Sequence, residues 1–237
     1  MSWKVPRMWE GGDVWIIGGG PSVPIQFGIP DKVIQQVISG ASPASVYSPY
    51  MSYLHTKHVI GVNVAYKIGT WMDIIVFGDK NFYLREAMEF AKYPGLKISC
   101  HPDSRSEPWL KYLERDADHV KGISPNPRKV SWNNNTGAAA ISVAAHTGAK
   151  RIFLLGFDMK LGSNRMQHWH DLYNRGPVPP DDDRRNRKLA FDRHLIAFPD
   201  IASDAKRMGI QIINVCPDSA ITDFPKVALK NIINECS

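Results

Sequence analysis

The chain has 237 residues, 43% of them hydrophobic and 22% charged, with a formal net charge of +6. That length suits one domain, residues 1–237, with a full core, and no apolar run reaches the ~20 residues of a membrane helix. The amino terminus lacks the apolar centre of a signal peptide. Cys100, Cys216 and Cys236 show neither zinc spacing nor a disulfide framework, so a cytoplasmic protein is expected.

The first element is an apolar strand, Val14–Ile17, which runs into Gly18-Gly19-Gly20-Pro21-Ser22. Glycines allow a tight turn and close approach of a ligand. Pro21 and Ser22 are residues that open helices. A strand, a bare turn and a helix start make an anion site, and a plain strand-to-helix turn is the competing reading. The pattern departs from the dinucleotide fingerprint, because Val23 stands where its last glycine belongs, and no Gly-Lys-Ser/Thr marks a P-loop.

A helix is expected near Lys32–Ser39, followed by strands at Val59–Val62 and Ile74–Phe77. Phe82–Lys92 reads as a helix stopped by Gly95, and Leu96–Cys100 as a strand. The weakly patterned segment from His101 to Trp132 is assigned one helix around Trp109–Asp116. Thr136-Gly137 opens an alanine-rich helix to Thr147; Asn133-Asn134-Asn135-Thr136-Gly137 before it reads either as a second anion site or base-recognition edge or as a simple N-cap by Thr136, and Arg151–Leu155 is a buried strand ending in Gly156-Phe157-Asp158. A long irregular insert, about residues 159–186, reads as a lid or substrate loop. A single long helix then runs to Met208, and Ile210–Ile213 is the last strand. This alternation predicts a doubly wound, mostly parallel α/β sheet of the Rossmann-like kind, with ligands bound beyond the carboxyl ends of the strands.

Chemistry-bearing residues gather at those ends. Asn63 and Asp79 follow two strands, and Asp79 is a candidate for a ribose hydroxyl or magnesium, against an Asx turn. His168 and His170 in the insert, with Asp158 upstream, fit acid–base chemistry better than a metal site, since a third histidine and helical spacing are missing. No metal site is assigned. His194 lies in the helix before the last strand. Arg184-Arg185-Asn186-Arg187-Lys188 is either a solvated run beside Asp181-Asp182-Asp183 or a phosphate-contacting surface.

Three blocks carry a family resemblance. Ile16–Val23, the stretch from Thr136-Gly137 through Ala149–Asp158, and Gly209–Ala220 with its Cys216-Pro217-Asp218-Ser219 turn resemble the bacterial lipooligosaccharide sialyltransferases. They are equally similar to the Rossmann-like group of the archaeal 6-hydroxymethylpterin diphosphokinase, which also occurs in phages. The resemblance implies that Gly18, Gly19, Gly20, Pro21, Ser22, Asn63, Thr136 and Gly137 hold a nucleotide-activated donor, and the place of Asp79 at a strand end adds it to that set. His194 or His168 would deprotonate an acceptor hydroxyl, while Asp158 and the loop to His170 shape the acceptor side. Lys160 and the 166–168 region stand where the sialyltransferases carry two phosphate-stabilising tyrosines, so Lys160 or a protonated His168 is expected to neutralise the phosphate. A glycosyltransferase acting on a glycan or on nucleic acid such as phage DNA is the first expectation. ATP- and magnesium-dependent diphosphotransfer, with Asp79 and Asp158 on the metal, is the second. A non-catalytic nucleotide or nucleic-acid binder is the third.

Overall fold

Alternate side chains of the first strand point into two different cores. In β1 (Asp13–Ile17), Val14 and Ile16 join one buried cluster while Trp15 and Ile17 join another, as the twofold period of a strand requires. Such a strand needs helices on both of its faces. The computed structural model, which describes residues 3–173, 176–178 and 190–235, supplies them.

The main sheet has seven strands in the order β5-β4-β3-β2-β1-β8-β9, all parallel. Its members are β1, β2 (His58–Val62), β3 (Ile74–Phe77), β4 (Leu96–Ser99), β5 (Lys111–Tyr112), β8 (Arg151–Leu155) and β9 (Gln211–Asn214). A separate pair, β6 (Glu114–Arg115) and β7 (Lys129–Val130), extends one end. The fold is thus a doubly wound, Rossmann-like α/β sheet. Strand order reverses at β1, which pairs β2 on one side and β8 on the other with Ile17 opposite both Gly61 and Leu155. That reversal opens a crevice at the carboxyl ends.

One face is covered by α4 (Thr136–His146) and α6 (Phe198–Arg207). Every residue of α4 is buried, which explains its run of small side chains: a helix enclosed on all sides has no polar face. The other face carries α1 (Ser22–Gln26), α2 (Asp31–Ile38), α3 (Lys80–Phe90) and α7 (Leu229–Glu235). A 3-10 stretch, Ala44–Thr56, adds the fully buried Tyr47, Met51 and Leu54 to that side.

Two expectations are corrected. The helix placed around Trp109–Asp116 is instead β5 and β6. Leu110 and Leu113 imitate helical spacing, but the backbone between them pairs with Ile98 and Ser99, and residues 114–115 pair with 129–130. The single long helix before the last strand is two helices, α5 (Phe191–Leu195) and α6, and Pro199 sits in the first turn of the second, where proline belongs. The described part of the 159–186 insert carries no helix or strand. The Arg184–Lys188 run, Asp181–Asp183 and Cys236 lie outside the described residues. Among those described, no helix is long and apolar enough to cross a membrane.

Candidate functional site

A cavity of about 440 Å³ lies over the strand-order reversal. Of the residues singled out from the sequence, Gly18, Gly19, Gly20, Asn63, Asp79, Thr136, Gly137, Asp158, Lys160, His168, His170 and His194 line it, whereas Pro21 and Ser22 do not. Segments far apart in sequence thus meet at one place because each follows the carboxyl end of a strand or opens a neighbouring helix.

The glycine loop spends its polar groups on the protein itself. The Gly18 amide donates to Leu155 O at 2.8 Å and the Gly20 amide to Gly156 O at 2.9 Å. Ser22 donates its amide to Asp158 Oδ1 at 3.1 Å and its hydroxyl to Asp158 Oδ2 at 2.9 Å. The Cys216 thiol also reaches Asp158 Oδ1, at 3.6 Å. Ser22 therefore does not cap α1 with its hydroxyl, and the Asp158 carboxylate, which lines the cavity, also braces the loop. The glycines permit this closeness: a Cβ at Gly20 would lie 1.8 Å from Asp158 Oδ2, and one at Gly18 would lie 2.8 Å from Gly156 O. Burial raises the Asp158 carboxyl above the usual carboxylate range, opposed by its Ser22 hydrogen bonds. What the loop offers a ligand is the Gly19 amide and an open floor.

The opposite wall is built from asparagines. Asn63, Asn133 and Asn134 all adopt left-handed backbone, with φ of 52°, 53° and 52°, a region asparagine tolerates better than most residues. Asn135, not Thr136, caps α4: its Oδ1 accepts from the amides of Gly137 at 2.8 Å and Ala138 at 3.4 Å. Its Nδ2 is then left without a partner, in a residue only 7% exposed. Asn63 donates Nδ2 to Asp79 Oδ2 at 3.1 Å, which leaves its Oδ1 unpartnered. Thr136 Oγ1 donates to the same Asp79 oxygen at 2.8 Å. Buried polar atoms without partners are uncommon, and two of them sit in side chains of this wall.

The histidines form a third side. Trp169, between His168 and His170, is 1% exposed and anchored twice in the glycine loop, by its amide to Gly19 O and its indole N–H to Gly18 O, each at 3.0 Å. This anchor escaped the sequence reading; an aromatic residue enclosed by polar neighbours was its signal. It fixes the two imidazoles as a nearly parallel pair, centroids 5.2 Å apart, with Tyr173 edge-on to both and Arg85 over the Tyr173 ring. His170 Nδ1 accepts the Leu172 amide at 3.2 Å, so the ring proton of its neutral form resides on Nε2. Burial, with the charges of His168, Lys67 and Arg85, pushes its pKa well below the ordinary imidazole value. His194 on α5 is brought down to about 4, by burial first and then by Arg193, against an opposing pull from Asp79. Both rings are neutral at pH 7.

Among the described residues, no group of three or more His, Cys, Asp or Glu side chains is placed to hold a metal ion. No protein-family model and no curated protein matches the sequence. Among solved structures, the chain is similar to the MAf glycosyltransferase from Magnetospirillum magneticum AMB-1, with a TM-score of 0.57 at 12% identity. That alignment covers 96% of this chain and 35% of the other, so the chain spans about a third of that protein's length. The likeness is one of fold. The sialyltransferase CstII from Campylobacter jejuni also aligns, in complexes with cytidine-5'-monophosphate and with CMP-3FNeuAc, at TM-scores of 0.46 and 0.47 and 13% identity, over 96% and 91% of this chain and 86% of each of those chains.

Proposed function

We propose that the chain is a transferase of the glycosyltransferase type, moving a group from a nucleotide-activated donor to an acceptor hydroxyl. The observation that carries this reading is a histidine held neutral, His194, on the wall of the cavity that also gathers Asn63, Thr136, Gly137 and the glycine loop. The fold shared with the MAf glycosyltransferase points the same way.

In this reading the donor lies across the glycine floor with its nucleotide toward Asn63 and Thr136. Negative charge developing on the leaving phosphate is met by the Gly19 amide, the Lys160 ammonium, His168 and a neutral N–H from His170 Nε2, the kind of fixed electrostatics that dominates such transfers. His194 takes the acceptor proton. An imidazole with a pKa near 4 is a weak base, and an anionic donor beside it raises that value toward neutrality, so donor binding arms the base.

A thermal-shift panel of CMP, UDP, GDP, ADP and ATP, each with and without magnesium, tests the reading. A metal-independent rise in Tm with CMP, UDP or GDP is expected; a rise needing ATP and magnesium, or none at all, overturns it. With the donor class known, His194→Ala is expected to lower kcat/KM by about 10²–10⁴-fold. Transfer to DNA compared with transfer to a free glycan separates the two acceptor classes.

A further inference from the structure

Asp79 occupies the cap position of α3 yet makes no side-chain cap bond, although aspartate is among the best residues for that role. Its carboxylate turns into the cavity. One oxygen, Oδ2, collects Asn63 from the end of β2 and Thr136 from the start of α4. The turn that carries it is held from behind, where Arg115 donates to Gly78 O at 2.8 Å and to Cys100 O at 2.9 Å and sits over the Trp132 ring, 3.8 Å from its centroid. A side chain forgoing a local bond for two distant ones, on a clamped turn, is organised for something other than helix stability.

We propose that Asp79 is a positioning residue, which presents Asn63 and Thr136 to the ligand as hydrogen-bond acceptors and supplies the negative charge facing His194. This rests on the reading that the cavity takes a nucleotide donor. One Asn63 N–H and the Thr136 proton go to Asp79, so the acceptors left for a ligand, Asn63 Oδ1 and the Thr136 hydroxyl lone pairs, outnumber the one donor left, the second Asn63 N–H. That corner therefore favours a group that donates hydrogens, such as the hydroxyls of a ribose. The same carboxylate lines one cavity with His194, where its charge opposes the downward shift of that ring. Among the described residues, the charged and titratable groups that line the cavity with His194 are Arg193 on its own helix, Asp79 at the head of α3, and Arg85, Asp158, Lys160, His168, His170 and Tyr173 on the other walls.

The test uses Asp79→Asn, which keeps size and removes charge, beside Asn63→Ala and the double variant. Calorimetry with CMP, UDP and ADP, each compared with its 2′,3′-dideoxy form, reads binding, and NMR of the His194 ring reads its titration. Asp79→Asn is expected to weaken the ribonucleotide about tenfold, with little change for the dideoxy form. The double variant should bind no more weakly than the weaker single one, the non-additivity of residues acting as a unit. The His194 pKa should fall in Asp79→Asn, since the opposing negative charge has gone. Additive losses, an equal loss for both ribose forms, or an unmoved His194 titration would overturn the proposal. If the wild-type protein binds no nucleotide, the functional reading fails, while the His194 titration still tests the electrostatic half of the proposal.

Discussion

The glycine loop and the asparagine wall face each other across the same cavity and solve opposite problems. In the loop, the amides of Gly18, Gly20 and Ser22 and the carbonyls of Gly18 and Gly19 are all bound by the protein, and absent side chains serve internal closeness. In the wall, backbone is bent into left-handed conformations, and two side-chain amides keep an unpartnered atom. Glycine-rich does not mean ligand-binding by itself. The loop is a bare floor supported from below, and the unspent hydrogen-bonding capacity lies on the other side.

The contrast breaks hardest at Gly20. Gly20→Ala forces a methyl onto Asp158 and Gly156 O, both of them fixed, and is expected to cost about 3 kcal/mol or more, read from the urea midpoint. Gly19→Ala meets a side chain, His168, and no backbone, so it should cost less; if it destabilises as much as Gly20→Ala, the floor is not built as described. Next comes Asp158→Ala, which strands the buried Ser22 N–H and hydroxyl and should cost about 2 kcal/mol, with Ser22→Ala losing less. On the wall, Asn135→Ala should lose about 1 kcal/mol with the helix cap. Asn135→Asp sharpens the point: it keeps the cap oxygen and exchanges the unpartnered NH₂ for a carboxylate oxygen whose charge the α4 N-terminus offsets, so stability should hold while affinity for an anionic nucleotide falls.

The smallest effect is set by pH. His146 and His194 are both depressed to about 4 in the folded chain, largely by burial, whereas the unfolded chain titrates near 6.5. Between those values the unfolded state binds more protons, so stability is full above about 6.5 and declines as pH falls toward 4. His146→Gln should flatten part of that decline in Tm. A Tm independent of pH across this window would mean that the imidazoles are not held neutral.

Much of this architecture was readable before the coordinates. Val14–Ile17, Val59–Val62, Ile74–Phe77 and Arg151–Leu155 are apolar runs bounded by turn residues, and two-sided burial makes such runs unambiguous. The cavity lining was readable too, because special residues cluster where strands end. What sequence hid was set by distant partners. β5 and β6 exist because β4 and β7 lie beside them, and local spacing at Leu110 and Leu113 favoured a helix. Pro199 did mark a helix start, but the smooth periodicity across it concealed the break. The role of Asp158 was invisible because nothing local joins it to Ser22, 136 residues earlier.

Trp169 carries a kinetic consequence. Its indole reaches Gly18 across 151 residues of chain, a contact that loop closure makes slow to find. Gly18 and the segment after β8 come together only once β1 and β8 have paired in register. The histidine side of the cavity is thus expected to form late in folding. In refolding followed by circular dichroism and by nucleotide capture, the sheet should return first and binding competence should trail behind it.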